Sequence, residues 1–357
     1  MNLSKFAVAL LLMGLGAAAC GGGTAGGDVT PGKKIAFLLP DAAARYETQD
    51  VPHFQAKVRS MCSDCQVVYR NAGGDAAVQR QQADAALAAG ANVIVLDAVD
   101  TNAASVIVTA AAKRHVPVIA YDRLILNSPQ LAYYVWFDDA TVGALQASAL
   151  LNAMKGAAKP TVVMIHGDQT DLQARILKTA AHLALDGKVT IAKEFDTPAG
   201  SAGGAQAEMA QALSALNNKV DGVYAANDEV ASGAVIALKV AKLKSLPPVT
   251  GGDAELTAVQ RILSGEQYMT VYRPVRQEAE AAATLAYDLA FGVKVPFELT
   301  AGKAADNGVQ AVPAVLVQPV AVTRKTLVST VLADGFWSRS QLCTPDYAQA
   351  CKAAGLS

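Results

Sequence analysis

The feature that most constrains this chain is a repeated exchange between short, continuously apolar runs and longer Ala-rich amphipathic segments. From Lys33 onward, KIAFLLP (34–40), QVVYRNA (66–72), ANVIVLDA (91–98) and VPVIAYD (116–122) read as strands, with helices over 50–61, 75–90 and 102–115 between them. An apolar run without polar alternation fits a strand covered on both faces. Strand–helix–strand order then predicts an α/β fold with parallel sheets and helices on both sides. The rhythm restarts after YYVWFDD (133–139): helices over 140–156, 171–186, 203–217, 230–243 and 255–264 alternate with strands at 161–168, 189–195, 220–228, 248–254 and 267–274. Two successive units of similar length predict two similar lobes. The N-terminal lobe is expected to span 33–136 plus about 274–308, and the C-terminal lobe 137–273 plus about 309–325. Helix 276–291 and VQAVPAVLVQPVAVT (309–323) are read as the last exchanges between them, and 326–357 as a C-terminal extension.

The first residues predict the compartment. Lys5, the apolar run Phe6–Leu15 and the small residues Ala17–Ala19 lead into Cys20. That order is a secretory signal over 1–19, too short to span a bilayer as a helix. A cysteine directly after the small residues reads as a lipidation site, which places the chain outside the cytoplasm and anchors it through Cys20. Residues 20–32 are rich in Gly and Thr and read as a flexible tether. About 325 residues then remain, enough for two domains. In an oxidising compartment, the two close cysteine pairs, Cys62 with Cys65 and Cys343 with Cys351, are expected as disulfides. A net charge of −1 gives no electrostatic reason to expect nucleic acid as a partner.

In open parallel sheets, ligands bind beyond the carboxyl ends of the strands. That rule selects Asp41, Arg45, Asp97, Asp122, Arg123, Asp168, Asn227, Asp228, Asp253 and Arg273. An Asp after a strand is often only a helix cap, and Asp100, Asp171 and Asp228 fit that reading. Arg123 and Arg273 fit it poorly, because an arginine in apolar surroundings needs a carboxylate or a ligand. Carboxylates, amides and guanidiniums together suit a polyhydroxylated ligand, with Tyr46 and Phe195 as candidates for an apolar face. Enzyme readings fare worse. GxSxG, HExxH and Walker A motifs are absent, and the GxGxxG match at 21–26 lies in the tether and not at a strand–helix turn. The four histidines (His53, His115, His166, His182) show no ligand spacing, so neither metal nor cofactor is expected. The adjacent carboxylates Asp138 and Asp139 would suit a glycosidase, but a helix cap explains at least one of them.

The segments VPVIAYDRLI (116–125), YYVWFDDATVGALQA (133–147), VDGVYAANDEVASGAVIAL (220–238), TGGDAELTAVQRILSGEQYMTVYRP (250–274) and VLADGFWS (331–338) together resemble the type I periplasmic sugar-binding proteins, and within them the D-xylose-binding proteins. The resemblance implies two Rossmann-like lobes joined by three crossovers and closing on a monosaccharide. It implies ligand contacts from Arg45 and Tyr46 in the first loop, Asp122 and Arg123 in YDR, Asn227 in AND and Asp253 in GGD. Arg273 stands where the family typically has Lys, and Leu172 and Gln173 stand where it tends to have two Asn; of these two, only Gln173 is expected to reach a hydroxyl. The loop 196–204, DTPAGSAGG, lacks the family's second stacking Trp. The resemblance thus implies a carrier that binds an aldopentose or aldohexose and docks on an ABC permease with its ATPase; because each lobe pair is self-sufficient, a monomer is expected. A sensor presenting sugar to a chemoreceptor or histidine kinase, and a polyol or nucleoside ligand, stay open.

Overall fold

A computed structural model describes residues 32–42 and 45–356. The expected signal, Cys20 and the tether as far as Pro31 lie outside the described residues. In chain order, the first lobe contains β1 (Lys34–Leu39), α1 (Val51–Met61), β2 (Gln66–Asn71), α2 (Ala76–Ala88), β3 (Val93–Leu96), α3 (Ser105–Ala112), β4 (Val118–Tyr121) and β5 (Tyr133–Phe137). The second lobe follows with α4 (Asp139–Ala153), β6 (Thr161–His166), α5 (Leu172–Leu185), β7 (Thr190–Asp196), α6 (Ala202–Ala215), β8 (Gly222–Ala225), α7 (Asp228–Val240), α8 (Leu256–Ser264) and β9 (Met269–Tyr272). The chain then returns to the first lobe as α9 (Val275–Phe291), β10 (Ala304–Asp306) and β11 (Ala311–Val317), and crosses once more to place β12 (Val320–Thr323) beside β9.

The first sheet has the order β10-β11-β5-β4-β3-β1-β2, parallel except for the β10–β11 pair. In the second lobe, β7-β6-β8 pair in parallel and Val249 bridges Val223 alongside β8. Backbone bonds between Val271 and both Gly251 and Asp253 carry the pairing on to the antiparallel β9–β12 ribbon. The uninterrupted apolar strands have a direct explanation. Ala36 and Leu38 feed one core with Ile94, Leu96, Ile107 and Val108, while Ile35, Phe37 and Leu39 feed the opposite one with Phe54, Val58 and the alanines of α9. Phe37 stacks on Phe54 at 4.3 Å and meets Tyr121 edge-on at 5.3 Å. Each such ring contributes about 1.5–3 kcal/mol by leaving water.

One expected boundary is corrected. The run 309–323 does not belong to the second lobe as a whole: Ala311–Val317 pairs in parallel with β5 in the first sheet, and only Val320–Thr323 joins the second lobe. Gln318–Pro319 divides the run, because proline brings no N–H and holds the preceding residue extended. Continuous hydrophobicity hid that break. The C-terminal extension packs into the second lobe, where Leu327, Val331, Leu342, Cys351 and Leu356 share a core with Val259, Leu263, Tyr272 and Val322. Both expected disulfides are present, Cys62–Cys65 and Cys343–Cys351.

Two glycines let helices of the second lobe approach closely. A Cβ on Gly233 of α7 would lie 2.1 Å from the Ala202 carbonyl oxygen of α6, and one on Gly143 of α4 would lie 2.5 Å from the Leu177 carbonyl oxygen of α5. Neither backbone can yield without moving its helix. Gly233→Ala is therefore expected to lower unfolding free energy by about 1–3 kcal/mol, as overpacking does. Urea unfolding measures this, and an unchanged midpoint would contradict the close packing.

Candidate functional site

The carboxyl ends of β3 and β4 deliver Asp97, Asp122 and Arg123 to one spot. Asp122 has φ 62°, a left-handed conformation unusual for a residue with a side chain. Its N–H donates to the Val135 carbonyl at 3.1 Å, and the Tyr134 hydroxyl donates to its own carbonyl at 3.0 Å, so the strained backbone is held by β5. The Arg45 guanidinium then gathers three carboxyls: it donates to Asp122 at 2.9 Å, Asp50 at 3.1 Å and Glu278 at 2.8 Å. Asp50 also accepts from the buried Tyr121 hydroxyl. Arg45 lies 5.5 Å from the Tyr46 ring centre, and Tyr46 donates its hydroxyl to Asp97 at 2.6 Å. Arg123 stands 3.9 Å from the other Asp97 oxygen and donates to the Ala98 carbonyl at 3.3 Å.

A second cluster forms where the chain crosses between lobes. Arg273, directly after β9, donates to Asp253 and, at 3.2 Å, to Asp139 at the start of α4. Its guanidinium lies 5.3 Å from the Trp136 ring centre, and the Trp136 indole donates to Asp139 at 2.9 Å. Asp253 repeats the geometry of Asp122: it too has positive φ, 88°, pinned by its N–H bond to the Val271 carbonyl. The next residue, Ala254, is fixed by the Trp337 indole at 2.8 Å, so the C-terminal extension braces this loop. Burial works against the charge on Arg273, while Asp253, Asp139 and then Asp122 favour it. Gln173, at the start of α5 in the second lobe, reaches the Asp122 carbonyl at 3.5 Å.

Burial governs the electrostatics. It pushes Asp97 well above the usual carboxylate range, reinforced by repulsion from Asp122. It raises Glu278 and Asp50 as well, against the pull of Arg45. Burial holds Asp139 up at about 6 despite Arg273 and the Trp136 indole. Among the described residues, eight buried side-chain polar atoms have no hydrogen-bond partner. Five of them belong to this region: Arg45 Nε, Asp50 Oδ2, Asp97 Oδ1, Arg273 Nε and Glu278 Oε1. A fold optimised only for stability would not concentrate unmet polar capacity in one place.

Seven of the eight residues singled out from the sequence meet here: Arg45, Tyr46, Asp122, Arg123, Gln173, Asp253 and Arg273. Asn227 stands beside them, its Cα near Gly252 and its side-chain nitrogen near Gly200, while its Oδ1 caps α7 by accepting from Val230 at 2.8 Å. The cap is thus Asn227 and not Asp228, whose buried carboxyl instead accepts from Gln267, Thr270 and the Glu255 N–H. Asp171 does cap α5, and Asp138 accepts from the Thr141 N–H, but Asp100 accepts from the Asn102 and Ala103 N–H groups in the turn before α3, whose N-cap is Ala104. Phe195 does not face the site, because it packs against the core of Val163, Ile165, Met209 and Leu213. Asp50, Glu278 and Asp139 went unrecognised as site residues in the sequence. Glu278 alone carried a signal, since it shares a stripe with the buried Ala282 and Leu285 on α9.

Residues 35–294 match the model of the periplasmic binding protein domain. The chain is 32% identical over 316 residues to the D-xylose-binding periplasmic protein of Haemophilus influenzae, covering 87% of this chain and 92% of that one. It is 30% identical over 314 residues to the protein of the same name in Escherichia coli, again covering 87% and 92%. An ABC transporter solute-binding protein from Clostridium phytofermentans, solved with bound β-D-glucose, superposes with a TM-score of 0.74 at 25% identity over 87% of this chain and 100% of that one. With its paired parallel sheets and polar strand ends, this chain belongs to the type I periplasmic sugar-binding protein family.

Proposed function

We propose that this protein is the extracytoplasmic solute-binding component of an ABC importer and holds a neutral monosaccharide, an aldopentose or aldohexose, between its lobes. The observation that carries the reading is the pairing of charges at the strand ends. Arg45 is balanced by Asp50, Asp122 and Glu278, and Arg273 by Asp139 and Asp253. Arginines already held by carboxyls offer an anionic ligand little, but the cluster offers a sugar fixed donors and acceptors for several hydroxyls at once. Asp122, Arg123, Arg45 and Tyr46 serve from the first lobe, Gln173 and Asn227 from the second, and Asp253 and Arg273 from the crossover. Contacts from both lobes favour the closed form by differential affinity, and that form docks on a permease driven by its ATPase. Cys20 ties the carrier, a monomer, to the membrane.

The apolar grip on the ring is light. The Tyr46 and Trp136 rings are both buried and already faced by arginines, and Gly200 stands where no side chain can stack. Affinity therefore rests on hydrogen bonds, and the site tolerates several sugars.

Calorimetric titration with D-xylose, D-glucose and other pentoses and hexoses tests the proposal: one tight site per chain is expected for at least one of them. Asp122→Ala or Arg123→Ala should weaken that binding about 10–100-fold, as loss of a charge-assisted hydrogen bond does, while unfolding stays cooperative. Unchanged affinity in both variants would refute the assignment. A separate prediction concerns Asp139. Its folded pKa of about 6 lies above its unfolded value, so the folded state binds the extra proton between roughly pH 4 and 6. Its contribution to stability is present at low pH and is lost as pH rises through that window. Asp139→Asn should remove up to about 2–3 kcal/mol of that fall, seen as a flatter stability profile from pH 4 to 6.5. A variant profile parallel to wild type would contradict it.

A further inference from the structure

We propose that the second lobe carries a transition-metal site built from His166, His182 and Glu194, separate from the sugar cluster. His166 ends β6, Glu194 lies near the end of the adjacent β7, and His182 sits on α5, which covers that face of the sheet. In the sequence the two histidines are unrelated by any ligand spacing, and the fold closes the gap. Their rings stand 6.0 Å apart, and both Nε2 atoms converge on a single oxygen, Glu194 Oε1, at 3.0 Å from His166 and 2.8 Å from His182. All three ligand atoms lie within 4.8 Å of one another.

Two imidazoles and a carboxylate select a borderline ion such as Zn²⁺, Co²⁺ or Ni²⁺ over Ca²⁺ or Mg²⁺, which prefer oxygen alone. Tetrahedral coordination with bonds of about 2.0–2.1 Å sets ligand atoms about 3.3 Å apart. The two nitrogen–oxygen separations need to widen by only a few tenths of an ångström, and the two Nε2 atoms already lie within 4.8 Å of each other. His166 is immobile, with its side chain 1% exposed, whereas His182 and Glu194 are 27% and 30% exposed and can adjust. Their exposure also leaves the fourth position to water from the open side. Outer support is in place: His182 Nδ1 bonds Asp186 at 3.0 Å, which orients the ring to offer Nε2.

Without the ion, Lys178 supplies positive charge, 3.2 Å from Glu194 Oε1. It also holds both oxygens of Asp196, at 2.8 and 3.0 Å, and so keeps a partner when the ion takes Glu194. Lys178 is then a competitor of the metal. The bound ion would fasten β6, β7 and α5 together, and α5 is the helix whose first turn carries Gln173 toward Asp122.

The test is titration of the mature chain, disulfides oxidised, with Co²⁺ and Zn²⁺. One ion per chain and the visible absorption of tetrahedral Co²⁺ are expected. His182→Ala and Glu194→Gln should each weaken binding at least 10-fold, consistent with loss of a ligand, while His53→Ala and His115→Ala leave it unchanged. Lys178→Met should tighten binding several-fold. Cooperative unfolding of each variant without metal establishes that it is folded. Absence of saturable one-to-one binding, or binding that survives His182→Ala, would overturn the proposal, as would weaker metal binding in Lys178→Met.

Discussion

The structure around the strand ends depends on one guanidinium, that of Arg45, standing against three carboxyls from distant parts of the chain. Asp50 precedes α1, Asp122 follows β4, and Glu278 comes from α9, which returns to this lobe only after α4 to β9 of the second lobe. Burying such a cluster costs solvation that Coulomb attraction recovers only when every partner is present. Removing the cation would leave two almost fully buried carboxyls, Asp50 and Glu278, without compensation. Arg45 therefore links the correct return of α9 to the correct posture of Asp122. In the proposed function, the same bond that completes the lobe also presets a carboxylate for the ligand, and preset groups lose little freedom on binding.

Arg273 does the corresponding work at the crossovers. Asp139 begins α4 just after the chain first leaves the first lobe, and Arg273 precedes α9 just before it returns. Their ion pair joins two of the segments about which the lobes would turn. Under the proposed function, a ligand that draws on Arg273 or Asp253 would act directly on the hinge, and hydroxyl recognition would be coupled to closure without a longer path between them.

The sequence was legible wherever a residue's role followed from local pattern. Strands buried on both faces betrayed themselves by unbroken apolar runs, and polar groups at their ends gave Asp122, Arg123, Asp253 and Arg273. What stayed hidden depended on tertiary position. Asp50 looks like an ordinary helix-terminal acid and Glu278 shows only its place on a buried stripe, and the approach of Arg45 gives both their meaning. The positive φ at Asp122 and Asp253 leaves no trace in residue type, because neither is glycine. Phe195 was misplaced because strand parity alone does not say which face meets a core. The strand at 311–317 was assigned to the wrong lobe because one apolar run served two sheets. His166 and His182 came together only through the packing of α5 on β6 and β7.

The central claim is that a sugar is held by the strand-end groups of both lobes around the Arg45 and Arg273 clusters. A crystal structure of the protein with the tightest-binding monosaccharide tests it most directly. The account predicts the ring lodged between the lobes, with Asp122, Arg123, Asn227 and Arg273 each within hydrogen-bonding distance of a hydroxyl or the ring oxygen. A sugar bound elsewhere, with those four side chains contacting only one another, would contradict it.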